Sequence, residues 1–431
     1  MPITLNNATV FTPTEVIERG AVVISDYGRI AYAGPTDESP RVSGPRHDLQ
    51  ELLVAPGFVD IHVHGGNGVT FGDGDAQAEG LTAYSEWVAG FGVTGFLCTL
   101  AAPDEESLLR IVAEYARILT TGEIPGAVPL GLHLEGPYLS REKPGAFNPG
   151  WLRQPSLGEV KALLEAGGGW IRQMTLAPEL PRAEEIAALL RQAGVVAALG
   201  HTNTDYDTAS AALQGDFTHV THTYNTMRGF HHREPGALGA ILASDAVTAE
   251  LIADTIHVHP GAMKVLVRCL GSDRVVLITD AMAGAGLADG HYNLVGCAVT
   301  VKDGRATKAD GTIAGSTATL DLCVRNMHQK VGVPLVEAVK MVSLNPARAM
   351  GLAASVGSIA VGQEANLVVM DENVNVHATL VKGHVVYAAM KNTGAVEHCL
   401  KLGSWPLRPS GREEAHEISD QFEPTKLIGK G

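Results

Sequence analysis

Short apolar runs alternate with longer amphipathic segments through the middle of the 431-residue chain. Eight of these runs are predicted strands, at Gly57–His62, Val93–Thr99, Pro129–Leu134, Ile171–Leu176, Val195–Leu199, Phe217–Thr221, Val247–Ile252 and Arg274–Thr279. The apolar spacing between them predicts helices, for example at Glu105–Leu119, Ala183–Gln192 and Pro260–Leu270. Alternating strands and helices indicate parallel βα units, and eight such units close a (β/α)8 barrel. An open doubly wound sheet is the alternative, but no glycine-rich phosphate fingerprint follows the first strand.

The two ends of the chain have a different pattern, in which short strands and turns follow one another without helices. The segment Ala21–Gly34 reads as strand, turn, strand, and the same texture returns after Gly357. We therefore expect the two ends to pair into one small β-sandwich domain. The predicted division is residues 1–55 for its first part, 56–352 for the barrel, 353–400 for its second part and 401–431 for a C-terminal extension.

Histidine and acidic residues stand at the ends of several predicted strands. They are His62 and His64 after the first strand, Glu135 after the third, His201 after the fifth, His222 after the sixth, Asp254 and His257 after the seventh, and Asp280 after the eighth. In a barrel all these strand ends lie on one rim. His62 and His64 also point the same way, because alternate residues of a strand share a face. Burying such a set without a compensating ion would be costly, so the pattern predicts a metal site.

The ligand types narrow the choice of metal. Imidazole and carboxylate without thiolate favour Zn²⁺, or else Fe²⁺, Mn²⁺ or Co²⁺. Glu135, His201 and His222 supply three ligands and leave a position open for water, and His62 with His64 could hold a second ion. We therefore expect one or two ions per chain. Asp280 is close enough in this scheme to take a proton from water and return it to a leaving amine.

Charge and composition exclude several classes of function. The net charge of −15 disfavours binding to nucleic acid and to anionic membranes, because both require clustered Lys and Arg. No apolar run approaches the length of a transmembrane helix, and the start of the chain lacks a secretory signal pattern. The five cysteines are widely spaced and odd in number, which indicates free thiols and a cytoplasmic protein.

Longer motifs around these residues resemble the amidohydrolase superfamily and, within it, the N-acetylglucosamine-6-phosphate deacetylase family. The matching segments are PGFVDIHVHGGNG from Pro56, GLHLEGPYLS from Gly131, LGHTN from Leu199, THTYNTMRGFHHREPG from Thr221, IADTIHV from Ile252 and LITDAMAGAG from Leu277. The resemblance extends from about Leu5 to Ala389 and implies hydrolysis of the acetamide of N-acetylglucosamine 6-phosphate. It further implies that Glu135, His201 and His222 bind the principal metal, and that Asp280 is the general base and acid. His257 is then expected to help polarise the amide carbonyl, and Asn225 and the Thr226 backbone to hold the phosphate. The resemblance also implies a homodimer in which Arg233 reaches the phosphate in the neighbouring subunit.

One departure from the family pattern concerns the phosphate. The family usually has a histidine before Asn-Pro in the loop after the glutamate, whereas this chain has Phe147, which cannot donate a hydrogen bond. Compensation by Arg141, Lys143 or Arg228 is conceivable, although solvated surface is the usual role of such residues. Deacetylation of an unphosphorylated or epimeric N-acetylhexosamine therefore stays open.

The sequence argues against two more distant alternatives. A cyclic amidase normally bridges its metals with a carboxylated lysine after the fourth strand, but that strand is followed here by Ala177-Pro178-Glu179. A barrel that has lost catalysis should lack ligands or the acid-base carboxylate, and this chain retains all of them.

Overall fold

The computed structural model describes residues 1–72, 74 and 76–389. The predicted C-terminal extension, 401–431, and residues 390–400 of the predicted second sandwich segment lie outside the described residues. The N-terminal strands are β1 (Ile3–Phe11), β2 (Val16–Ile24), β3 (Ile30–Pro35), β4 (Arg46–Asp48) and β5 (Leu53–Pro56).

The middle of the chain alternates between strands and helices, as the pattern of apolar residues predicts. In chain order its elements are β6 (Phe58–Val63), β7 (Gly65–Gly66), β8 (Val69–Thr70), α1 (Gln77–Val88), β9 (Val93–Leu100), α2 (Glu105–Thr121), β10 (Val128–Glu135), α3 (Leu157–Gly167), β11 (Ile171–Leu176), α4 (Ala183–Gln192), β12 (Val196–Leu199), α5 (Tyr206–Gln214), β13 (Phe217–Val220), α6 (Gly236–Leu242), β14 (Thr248–Ile252), α7 (Pro260–Leu270) and β15 (Val275–Ile278). All eight predicted strands are present, and no end differs from its prediction by more than one residue.

The remaining elements complete the chain as far as it is described. They are β16 (Gly290–Leu294), β17 (Cys297–Lys302), β18 (Arg305–Thr307), α8 (Leu320–Asn326), α9 (Leu335–Val342), α10 (Leu344–Ala349), β19 (Leu367–Met370), β20 (Val376–Val381) and β21 (His384–Ala388). No helix in the described ranges is both long enough and apolar enough to cross a bilayer.

Eight parallel strands form the barrel, in the order β6, β9, β10, β11, β12, β13, β14, β15. The first and last strands meet at their carboxyl ends, where the Asp280 amide donates to the His62 carbonyl at 2.9 Å and the His64 amide donates to the Ala281 carbonyl at 2.9 Å. The predicted barrel is confirmed. The first and last strands are joined at His62, His64 and Asp280, which are among the predicted site residues.

Strands from both chain ends form the second domain, as predicted. They make one continuous sheet in the order β21, β20, β19, β5, β1, β2, β3, with β4 paired to β1. The two ends of the chain join where β5 pairs antiparallel with β19. Leu5, Val54 and Leu367 are fully buried in the core beneath this sheet. Only Gly57 separates β5 from the first barrel strand, so the small domain holds the start of the barrel directly.

An antiparallel insertion follows the last barrel strand and was not predicted. Strands β16, β17 and β18 form a three-stranded sheet that packs Leu294, Val299 and Val301 against Met282 in a small apolar core. Leu294 and Val295 at its first turn also line the cavity at the mouth of the barrel. The insertion therefore forms one wall of the candidate site.

Candidate metal centre and active site

Three of the candidate residues leave their strands in an unusual backbone conformation. His201, His222 and Asp280 each lie two residues beyond the end of a barrel strand, with φ angles of +47°, +25° and +49°. Non-glycine residues rarely adopt positive φ, which costs on the order of 1–3 kcal/mol and is concentrated at functional sites. Here the turn of the backbone coincides with side chains that meet at the centre of the rim.

The first group of potential metal ligands consists of Glu135, His201 and His222. The Nε2 atoms of both histidines lie 3.1 Å from Glu135 Oε1, and they lie 3.1 Å from each other. All three residues are buried. Two imidazole nitrogens and a carboxylate oxygen thus converge on one point at the carboxyl ends of β10, β12 and β13.

The second group consists of His62, His64 and Asp280. Asp280 Oδ1 lies 3.6 Å from His62 Nε2 and 3.4 Å from His64 Nε2. Glu135 connects the two groups, because its Oε1 lies 3.5 Å from His62 Nε2 and its Oε2 lies 3.0 Å from His64 Nε2. The structure therefore brings all five predicted ligands and the predicted acid-base residue into one cluster.

The hydrogen bonding of this cluster fits a cation better than protons alone. His62 Nε2 is buried, points toward Glu135 and Asp280, and has no hydrogen-bond partner among the residues that the structure describes. His201 Nε2 and His222 Nε2 face each other across 3.1 Å although at most one proton can lie between them. Converging lone pairs of this kind are what a divalent cation requires.

Charge leads to the same conclusion. Burial alone lowers the pKa of His62, but the carboxylates of Glu250, Glu135 and Asp280 outweigh burial and hold that pKa well above its usual value. Burial raises the pKa of Glu135, but the charge of His62 and hydrogen bonds from His201 and His222 bring it well below its usual value. The cluster is therefore rich in buried negative charge, which a bound divalent cation would neutralise.

Asp280 keeps its charge in these surroundings. Burial raises its pKa, but the positive charge of His62 and the hydrogen bond from His64 lower it below the usual value. The backbone on both sides of the residue is fixed as well, because the Asp280 amide donates to His62 and its carbonyl accepts from Ser316 at 2.7 Å. A carboxylate that is ionised and held in place can accept a proton.

Two buried residues beneath the cluster were not singled out from the sequence. His133 accepts or donates hydrogen bonds at 3.1 Å to Thr99 Oγ1 and 2.8 Å to Thr175 Oγ1, and its ring lies edge-on to His62 at 4.5 Å. Burial and the neighbouring charge of His62 hold the pKa of His133 well below its usual value. The other is Glu250 on β14, whose Oε2 lies 2.9 Å from His62 Nδ1. The available signal was a charged residue in the otherwise apolar strand AELI.

The loop after β10 approaches the first ligand group from outside. His201 Nδ1 donates to the Lys143 carbonyl at 3.0 Å, which leaves Nε2 for a metal. Phe147 is buried, and its ring lies edge-on to the His201 ring at 5.5 Å. The residue that departs from the family pattern therefore packs directly against a candidate ligand.

A cavity of about 270 Å³ opens onto the cluster. His64, Glu135, His201, His222 and Asp280 form its inner end, Asn225, Thr226 and His257 lie along its side, and Ala146, Phe147, Leu294, Val295 and Ile313 form its apolar wall. His257 is oriented by Asp254, whose Oδ2 accepts from Nδ1 at 2.7 Å and whose Oδ1 accepts from the His257 amide at 2.8 Å.

Arg233 is the one predicted site residue that lies apart from the others. It is exposed, its Nη1 lies 2.8 Å from His232 Nε2, and it is not part of the cavity wall formed by the described residues. Glu234 forms an ion pair with Arg228 instead, at 2.6 Å. Phe230 in the same loop exposes 57% of its surface.

Comparison with known proteins adds to this picture. Residues 53–386 match the Amidohydrolase family. The chain is 34% identical over 385 residues to N-acetylglucosamine-6-phosphate deacetylase of Bacillus subtilis, covering 89% of this chain and 96% of that one. It is 38% identical over 333 residues to N-acetylgalactosamine-6-phosphate deacetylase of Escherichia coli O157:H7, covering 77% and 87%. Among solved structures, the chain is similar to a mutant of N-acetyl-D-glucosamine-6-phosphate deacetylase from Mycobacterium smegmatis in complex with N-acetyl-D-glucosamine-6-phosphate. The two superpose with a TM-score of 0.83 at 37% sequence identity, and the match covers 90% of this chain and 99% of that one.

Proposed function

The chain belongs to the amidohydrolase family, and from this premise we propose that it is a metal-dependent deacetylase of N-acetyl-D-glucosamine 6-phosphate, producing D-glucosamine 6-phosphate and acetate. The observation that carries the proposal is the convergence of Glu135, His201 and His222 within 3.1 Å beside the carboxylate of Asp280, at the inner end of a cavity large enough for a sugar. Relatives that share most of the chain's length bear this activity in their names.

Glu135, His201 and His222 would hold one divalent cation, and His62, His64 and Asp280 a second. Zn²⁺ suits these nitrogen and oxygen donors best, and Fe²⁺, Mn²⁺ and Co²⁺ are compatible with them. A divalent cation bound here would polarise the amide carbonyl and lower the pKa of water to roughly 7. His62 and His64 keep their ring nitrogens directed at the cluster, which supports two ions per chain.

Asp280 would move the proton. As the oxygen of water bonds to the acetyl carbon, the carboxylate takes a proton from that water, and it then donates the proton to the sugar nitrogen while the C–N bond breaks. The acetic acid formed then loses its remaining proton to water or to the amine, so the products are acetate and the amino sugar. The lowered pKa and the fixed backbone of Asp280 support this role, because a general base must be ionised and within reach.

Other cavity residues would orient the sugar. Asp254 accepts a hydrogen bond from His257 Nδ1, so His257 Nε2 remains available to contact the substrate. Asn225 and Thr226 lie next to His222 and line the side of the cavity, where they would meet the phosphate. Because the chain carries a net charge of −15, affinity for a dianionic phosphate must come from such close donors and not from the overall field.

Arg233 would supply positive charge from a neighbouring subunit. Its exposure, its position outside its own cavity and the exposed Phe230 beside it all support a homodimer in which this loop contacts the partner. Exposed aromatic and arginine side chains are enriched at protein interfaces. Light scattering of the purified protein across a concentration series tests the dimer, and a monomer at all concentrations would contradict it.

A direct substrate comparison tests the function. Purified protein loaded with Zn²⁺ should release acetate from N-acetylglucosamine 6-phosphate with a kcat/KM far above that for N-acetylglucosamine. No acetate release from either sugar would contradict deacetylation. A preference for the unphosphorylated sugar would contradict only the 6-phosphate specificity and would agree with the loss of a donor at Phe147.

The galactosamine epimer is a second candidate substrate. The observation in its favour is that the N-acetylgalactosamine-6-phosphate deacetylase relative is as similar to this chain as the glucosamine-specific relatives are. The two sugars differ only at the C4 hydroxyl. Assaying both 6-phosphates at matched concentration identifies the preferred epimer without affecting the proposed chemistry.

A further inference from the structure

Glu250 is a charged residue at a place where charge is expensive. It lies in the middle of barrel strand β14, between Ala249 and Leu251, and all three residues are fully buried. An ionised carboxylate in a barrel interior costs several kcal/mol unless it is paired and hydrogen-bonded. Its retention at this position calls for a specific set of partners.

Those partners occupy both carboxylate oxygens. Oε2 accepts from His62 Nδ1 at 2.9 Å and from the His222 amide at 3.0 Å. Oε1 accepts from Gln173 Nε2 at 2.8 Å and faces His219 Nε2 at 3.2 Å. One oxygen therefore contacts both candidate metal groups, and the other contacts only supporting residues.

The contact with His62 determines which ring nitrogen faces the cluster. A carboxylate can only accept hydrogen bonds, so His62 Nδ1 carries a proton toward Glu250, and Nε2 is the ring nitrogen that faces Glu135 and Asp280. The contact with His222 involves the backbone and not the ring. Glu250 accepts from the His222 amide, which belongs to the residue with the positive φ of +25°, and it makes no hydrogen bond to the His222 side chain.

We propose that Glu250 is a positioning residue shared by the two metal groups, and that the ion at His62, His64 and Asp280 depends on it more strongly than the ion at Glu135, His201 and His222. The asymmetry follows from the two contacts, since Glu250 orients a ligand ring in the first case and only a backbone amide in the second. This inference rests on the proposed two-metal site, and it explains why the strand carries a glutamate.

Metal content measures the dependence without using activity. Wild-type protein and the Glu250→Leu variant are loaded with Zn²⁺ from a chelator-buffered series, and bound zinc per chain is determined by mass spectrometry. Wild type should bind two ions. Glu250→Leu should keep the ion at Glu135, His201 and His222. It should bind the ion at His62, His64 and Asp280 with about tenfold to hundredfold lower affinity, the usual loss when a partner behind a metal-binding histidine is removed.

Gln173→Met is the matched control. It removes a donor to the same carboxylate within the same buried network, but it leaves the contacts with His62 and His222 intact. Both ions should stay at wild-type affinity. Adding Glu250→Leu to a His62→Ala background should cause no further loss of zinc, because both changes act on one ligand.

Several results would overturn the inference. They are a single ion in wild type, two ions of unchanged affinity in Glu250→Leu, equal loss of both ions, or the same loss in Gln173→Met. If Glu250→Leu does not fold, Glu250→Asp decides, because its shorter side chain draws the oxygen away from His62 Nδ1 and should still weaken the second ion selectively. Acetate release by the wild type tests the proposed function separately, so the two failures are distinguishable.

Discussion

The inner and outer ends of the cavity are built in different ways. At the inner end, the metal-binding candidates are buried, stand at strand ends, and have partners behind them such as Glu250 for His62 and Lys143 for His201. At the outer end, Asn225 and Thr226 are only partly buried, and Arg233 is exposed. The candidate metal ligands are thus held by the rigid barrel, whereas the residues proposed to recognise the sugar phosphate lie on loops, which vary more readily.

The two ends are nevertheless connected at His201. The carbonyl of Lys143 orients its ring from the loop, and Phe147 packs against the same ring. On the proposed function, a substitution in this loop should therefore affect both phosphate binding and metal affinity. Experiments that separate the two ends must measure metal content alongside kinetics.

The largest expected effect is at the inner end. Asp280→Asn should reduce kcat by about a thousandfold, because the amide can neither accept the proton of water nor deliver one to the leaving nitrogen. Metal content should change little at the first ligand group, since Asp280 is not one of its members. Steady-state kinetics with zinc analysis checks this, and a near-normal kcat would move the acid-base role to another residue.

A smaller but still large effect is expected from removing a ligand. His201→Ala should lose the ion of the Glu135 group and lower kcat/KM by about a hundredfold, because one of three converging donors is missing. Elemental analysis and kinetics on the same preparation provide the measurement. Full metal content in this variant would show that the inner end does not work as a ligand cluster.

The clustering of residues at the inner end is the part of the cavity that could be predicted from the sequence. His62, His64, Glu135, His201 and His222 could be placed on one rim because strand ends of a parallel barrel meet there whatever the details of packing. Glu250 was missed because nothing in one sequence says which face of a short apolar strand points into the barrel. The extent of burial and the four hydrogen-bond donors around it depend on contacts distant in sequence.

The outer end could be predicted only in part. Arg233 was placed near the phosphate by resemblance alone, and in the structure it lies outside the cavity of its own chain. The wall formed by β16–β18 was not predicted, because alternating exposed and buried residues indicate strands but do not say against which part of the barrel they pack. Loops and insertions are set by tertiary contacts more than by local pattern.

An intermediate effect is expected at the outer end. Arg233→Ala should raise KM for the 6-phosphate by about tenfold to a hundredfold, the loss of one or two charge-assisted hydrogen bonds of ~1.5–3 kcal/mol. KM for the unphosphorylated sugar and zinc content should stay unchanged, because Arg233 belongs to neither ligand group. Equal losses on both sugars would reject the role of Arg233 in binding phosphate.

The smallest effect tests the departure from the family pattern and the connection between the two ends. Phe147→His should lower KM for the 6-phosphate about threefold, because the imidazole can donate a hydrogen bond toward the phosphate. Phe147→Leu is the matched control, since like Phe147→His it removes the phenyl ring that packs against His201, but it provides no donor.

Both variants should lose stability by ~1–3 kcal/mol, because Phe147 packs in an apolar cluster with Leu139, Leu152 and Val295. A tighter KM in the histidine variant alone, at unchanged zinc content, would assign the effect to the phosphate. If both variants lose zinc to the same extent, the main role of Phe147 is to support His201, and the outer end acts through the metal centre instead of through the substrate.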